Sequence, residues 1–262
     1  METENLKGTL TLNRNDFLIP LDRVLIECTN AVHVGLSSLD KLDNLPESLS
    51  GDDNFYHFKP YGGEIPLADR KKIFKDWLLQ KSFEDLIKAV TLMLIDINKI
   101  LNIQTKLKDT KTWGEFVTTI NTPDYEPTTK HFPELLDAIR PYLNDNLTLE
   151  NEVKSINRVR RCLVHRNGFV SPVDFFKGDT TLKLSWTYFK VIYLKDGQEI
   201  EFKPPVTIVE GGGEIQTIQE KKTKEYKNNE RIEFDFLHFN ELIWTVRLFG
   251  QEIIEKLTLE RK

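Results

Sequence analysis

The feature that most constrains this chain is a change in the period of its apolar residues. Up to about residue 170 they recur at the three/four spacing of helices, whereas Leu182, Leu184, Trp186 and Tyr188 alternate with Thr181, Lys183, Ser185 and Thr187. Near residue 237 the helical spacing returns, and "NELIWTVRLFGQEIIEKL" sets Leu242, Val246, Phe249, Ile253 and Leu257 on one stripe. One element cannot carry both periods, so strands must be bracketed by helices. The stripe of the last helix needs the earlier helices to bury it. The expected fold is therefore mainly α: a helical bundle over 15–170 and 237–259 with a small antiparallel β insertion at about 180–236, all within a single domain, 1–262.

Local signals divide the helical part further. Asp16 is placed to cap a helix through "FLIPLDRVLIECTNAVHVGLSSLDKL", with Pro20 near its start, and "SLSGDDNFYHFKPYGGE" reads as a loop. Pro66 opens a second helix. Ser82, followed by Glu84 and Asp85, is expected to start a third, whose apolar face is Phe83, Leu86, Val90, Leu94, Ile97 and Leu101. A short helix from Pro133 carries Leu135, Leu136 and Ile139 and ends near Pro141, and another runs from about Thr148 to His165. Within the β segment, Asp196-Gly197 suits a two-residue hairpin turn, and "VTIVEGGGEIQTI" and "RIEFDF" are expected to add strands.

A chain of 262 residues can bury a core without covalent staples. Cys28 and Cys162 stand far apart and read as free thiols of a reducing compartment, and the five histidines are scattered singly, so neither a zinc site nor a cofactor is expected. The N-terminal residues are polar, and the longest apolar run, "AVTLMLIDINKIL", is broken by Asp96 and Asn98. The expectation is a cytoplasmic protein without membrane association, which also removes "NLT" at Asn146 as a glycosylation acceptor. A net charge of −5 excludes a general nucleic-acid coat protein, so any phosphate site has to be local. Residues 151–170 supply one, with Lys154, Arg158, Arg160, Arg161 and Arg166 against Glu152 alone.

On a helical wheel started at Val153, Ile156, Val159 and Leu163 fall at roughly 300°, 240° and 280°, which defines the apolar face. Arg158, Arg161 and His165 lie on the other side, at roughly 140°, 80° and 120°. Arg160 falls at roughly 340°, on the apolar edge, where a guanidinium is costly unless something anionic meets it. A solvated face at a helix C-terminus accounts for Arg166 but not for Arg160. An arginine can hold a phosphate through two hydrogen bonds, and imidazole titrates near neutrality. Together these groups can cleave RNA without a metal, the imidazole moving a proton and the guanidinium stabilising charge on the phosphorane.

The stretch "RRCLVHRNG" resembles the signature of HEPN domains, an arginine followed after four to six residues by a histidine near the end of a late helix. Arg160 and His165 match it with four residues between, and Arg158 also fits, with six between. The resemblance implies a helical bundle that tolerates insertions before its last helix and commonly forms a homodimer. It also implies a metal-independent endoribonuclease of toxin–antitoxin or phage-defence type, with RNA as substrate and an antitoxin or regulatory protein as a further partner. The residues carried over are Arg160 and His165 as catalytic, with Arg158, Arg161 and Arg166 binding substrate. The chain departs from the pattern at Arg161, where the family usually has asparagine, aspartate or histidine. That departure bears on catalysis more than on fold and keeps open an alternative, a non-catalytic HEPN-like RNA- or protein-binding regulatory module. Because the Arg160 and His165 side chains leave one straight helix roughly 140° apart, a two-fold dimer is expected to build a composite cleft from both chains.

Other constellations are weaker. Cys162 and His165 are three apart, but a lone helical cysteine is usually a small buried hydrophobe. "EIEFK" has half of a metal-nuclease pattern, yet strand alternation accounts for it, and Asp196 belongs to a turn. "EGGGE" lacks the Lys-Ser/Thr of a phosphate loop, and Asp52-Asp53 lacks the spacing of a calcium loop. Trp186, Tyr188, Phe189 and Tyr193 could stack bases, but their alternation favours sheet packing.

Overall fold

The structure, a computed structural model, describes residues 13–45, 49–50, 57–58, 65–107, 131–195, 197–201 and 213–258, with a few positions between 112 and 118. Within these residues the chain is mainly helical with a small three-stranded antiparallel sheet. Helix α1 spans Leu18–Asp40 and is entered through a 3-10 turn, Arg14–Phe17. The cap is Asn13, whose side chain accepts from the Asn15 N–H, and Asp16 instead accepts from the Asn13 side chain at 3.0 Å. The expected cap therefore moves three residues upstream. In the stretch expected to be a loop, strands β1, Leu49–Ser50, and β2, His57–Phe58, form a short antiparallel pair.

Helix α2, Leu67–Leu107, runs unbroken for 41 residues, so the second and third expected helices are one. Ser82 is buried at its middle. A serine with following acidic residues marks a helix start only where the backbone can leave the helix. Here neither Gly nor Pro interrupts Leu78, Leu79, Phe83 and Leu86, and the hydrogen-bond ladder passes straight through. Helix α3 is Phe132–Ile139, followed by a 3-10 turn through Arg140–Tyr142, and helix α4 is Glu150–Arg166, both close to expectation.

The sheet follows α4 in the order β4-β3-β5, from β3, Leu182–Lys195, β4, Gln198–Glu201, and β5, Glu214–Tyr226. Lys195 pairs with Gln198, which leaves a two-residue turn containing Gly197 at φ 78°, as the sequence predicts. Leu182, Leu184 and Trp186 turn inward, but Thr187 is also buried, and Tyr188 is only half-buried. The alternation breaks where Glu241 and Thr245 meet β3: the Trp186 indole N–H donates to Glu241, and the Thr187 backbone N–H donates to Thr245 Oγ1. "RIEFDF" forms no strand. It contributes one bridge, Arg231 to Phe169, before Asp235 caps the last helix, α5, Phe236–Lys256. Residues 206–212 of "VTIVEGGGEIQTI", Asp52, Asp53 and Asp196 lie outside the described residues, and the end of that stretch enters β5.

Helices and sheet share one buried cluster, and all five residues of the α5 stripe have no solvent exposure. At Gly250 a Cβ would come within 2.3 Å of Leu21, so α5 lies directly against α1 there. The sheet is tied to α4 by Ser155 Oγ, which accepts from the Ser185 N–H at 2.8 Å. Among the described residues no helix is long and apolar enough to cross a membrane.

Candidate functional site

The site is built on α4, which other elements hold along its length. At its start the Thr148 and Leu149 N–H groups donate to the Glu252 carboxylate of α5, at 2.6 and 3.2 Å, in place of a local cap. Burial is the largest single effect on Glu252 and opposes its ionisation, but the summed hydrogen bonds from Lys256, Thr148 and Leu149 outweigh it and hold the carboxyl below its ordinary value. Near the other end, Gln80 of α2 donates to the Leu163 carbonyl at 3.3 Å. Asn167 at φ 52° and Gly168 at φ 79° then terminate the helix, with the Gly168 N–H closing onto the Cys162 carbonyl. "RNG" thus stops the helix one residue after His165 and leaves the imidazole on an open last turn.

The apolar wheel face is as expected: Val153, Ile156, Val159 and Leu163 are all buried. The cations separate into two groups. Arg158 stacks on Phe176, 4.5 Å from the ring centroid, and burial lowers its pKa, with Asp179 opposing. Arg166 binds Asp174 through both Nε and Nη2, and the same carboxylate accepts from the Ser171 N–H and hydroxyl. These two arginines anchor the loop after α4 and do not line the cleft that holds the others.

Arg160, Arg161 and His165 line one cleft of about 670 Å³, together with Asn157 of α4 and Lys88 of α2. Its remaining side is the first turn of α3, including His131 and Glu134, while Ile87 and Leu92 of α2 add apolar surface. Helices α3 and α4 both pack on α2, which leaves this space between them. The Asn98 amide fixes one side of it by donating from α2 to the Leu135 carbonyl of α3 at 3.1 Å. Lys88 stands 3.9 Å from Asp85, and Glu134 accepts from the His131 N–H at 3.1 Å. Arg160 is half-buried, and its Nε is buried without a hydrogen-bond partner among the described residues. Arg161 and His165 are exposed.

Within one chain the edge carrying Arg160 borders a groove shared with Ile87 and Leu92 of α2, and His165, roughly 140° away on the wheel, lines the same groove at the end of the helix. Two other clefts differ: one of about 380 Å³ sets Lys72, Lys75, Lys224 and Arg231 against Asp76, Glu233 and Asp235, a smaller excess of positive charge, and one of about 590 Å³ is mainly apolar.

Cys162 and His165 are not paired. The thiol is fully buried and donates to the Phe169 carbonyl at 3.3 Å, and burial, with Asp174 second, pushes it up to about 11, the opposite of an activated nucleophile. Trp186 and Tyr193 are packed within the fold, and Phe189 meets Trp244 edge-on at 6.1 Å. Two cleft residues escape motif reasoning, His131 and Lys88. They lie 34 and 77 positions from His165 in the sequence, and only the packing of α2 and α3 brings them near it. Comparisons with protein-family models, curated proteins and solved structures find no match for this chain.

Proposed function

We propose that the cleft between α3 and α4 binds the phosphodiester backbone of RNA and cleaves it without a metal, as an endoribonuclease of the HEPN type that "RRCLVHRNG" resembles. The observation that carries the reading is the buried Nε of Arg160, without a hydrogen-bond partner among the described residues, beside Arg161, Lys88 and His165 in a chain of net charge −5. A buried guanidinium N–H without a partner is rare in folded proteins, and an anionic ligand satisfies it. Arg160 holds a non-bridging phosphate oxygen and the charge that grows on it, while Arg161 and Lys88 add backbone attraction. His165 moves the proton of the 2′-hydroxyl. A homodimer, which the resemblance implies, would set the motifs of two chains toward one composite cleft.

The exposed Arg161, standing where the family usually has a smaller polar residue, favours the second reading, a module that binds RNA or protein without cutting. One assay separates the two. The protein is expected to cut single-stranded RNA in excess EDTA and to leave a 2′,3′-cyclic phosphate and a 5′-hydroxyl. Retention of RNA without cleavage selects the binding module, and cleavage only after addition of Mg²⁺ or Mn²⁺ rejects the metal-independent mechanism.

A further inference from the structure

The cleft contains a second imidazole that the Arg-x4-His motif lacks. His131 precedes the first turn of α3 in extended backbone, φ −88° and ψ 162°, and forms a capping box with Glu134, whose carboxylate accepts from the His131 backbone N–H. It lines the same groove as His165, on a different element, with Arg160 and Lys88 also along the lining. The chemistry of RNA transesterification gives this pairing a meaning. Attack by the 2′-oxygen is in line, so the hydroxyl that loses a proton and the 5′-oxygen that gains one lie on opposite sides of phosphorus. One imidazole cannot meet both in a single step, whereas two imidazoles on different walls can.

We propose that His131 is the general acid of this cleft and His165 its general base, both supplied by one chain. This rests on the ribonuclease reading above. The O2′–P bond forms as the P–O5′ bond breaks. The 2′-proton passes to the His165 imidazole, and a proton from the His131 imidazolium passes to O5′, giving the cyclic phosphate and the free 5′-hydroxyl with no other reactant. Negative charge develops on the departing oxygen, and His131 stands at the N-terminal end of α3, where the backbone dipole is positive. The leaving group is therefore assigned to that wall and the nucleophile to α4.

The test compares two substrates, single-stranded RNA and uridine 3′-(4-nitrophenyl phosphate), whose nitrophenolate departs without being protonated. His131→Asn keeps a residue suited to a helix cap while removing the transferable proton. It is expected to slow RNA cleavage by about 10²–10⁴-fold and to cut the nitrophenyl ester at nearly the wild-type rate. His165→Ala should lose both reactions. Partial unfolding of His131→Asn would lower both rates alike, so the ratio within that one protein still decides. Equal losses on the two substrates, or full RNA cleavage by His131→Asn while His165→Ala is inactive, would overturn the acid role and leave the ribonuclease reading standing. Wild-type protein that cuts neither substrate ends both.

Discussion

At the scale of single residues, the basic cluster divides into side chains with partners and side chains without one among the described residues. Arg158 and Arg166 sit two and six positions from Arg160 and have the same chemistry, yet Phe176 and Asp174 occupy them. Nothing in the one-dimensional pattern distinguishes the two groups, because those partners belong to a loop that folds back over the end of α4. The division predicts opposite phenotypes. Arg166→Ala strands the buried Asp174 carboxylate and should lower stability by about 2–3 kcal/mol, between the worth of a charge-assisted hydrogen bond and that of a buried pair, with cleavage per folded molecule retained. Arg160→Ala should leave the melt within about 0.5 kcal/mol of wild type, as for a side chain outside any network, and abolish cleavage. Denaturant melts alongside the RNA assay check both, and a reversed pattern would move the functional arginine to Arg166.

At the scale of elements, α4 is positioned by groups that are remote in sequence. Its N-terminal N–H groups are met by Glu252 from α5, and Gln80 of α2 grips its last turn. Glu150 in its first turn is likewise held below the ordinary carboxylate value, chiefly by the hydrogen bond from Arg140. Both carboxyls are depressed in the folded state, so their stabilisation is present above the unfolded carboxylate value and is lost as pH falls through the folded values. The melting temperature should therefore drop on acidification below that range. Glu252→Gln should start lower, by about 1 kcal/mol for a lost helix cap, and show a shallower acid limb. An unchanged limb would mean that Glu252 is not the cap of α4 in solution. The same remoteness explains why Ser82 misleads as a helix start: capping chemistry is local, but whether a helix continues depends on the apolar face the rest of the chain offers it.

At the scale of the whole molecule, the last helix closes the core. The α5 stripe is fully buried, Gly250 lies against Leu21, and Thr245 and Glu241 hold β3 from the other direction. A chain ending after Phe176 lacks that layer and should be molten or insoluble, with no cooperative melt. A sharp melt with full helicity would show that α1 to α4 form a core of their own. Element types were legible from the sequence, since apolar period is a property of adjacent residues: the helical stretches, the strand from Leu182 and the α5 stripe all follow from it. So was the basic face of α4, because a wheel needs only spacing. Which cations find no partner among the described residues was decided only by the tertiary structure, as was the entry of His131 and Lys88 into the cleft with His165. Those facts depend on distances between segments that the sequence separates by tens of residues, and such distances exist only once α2 and α3 have packed beside α4.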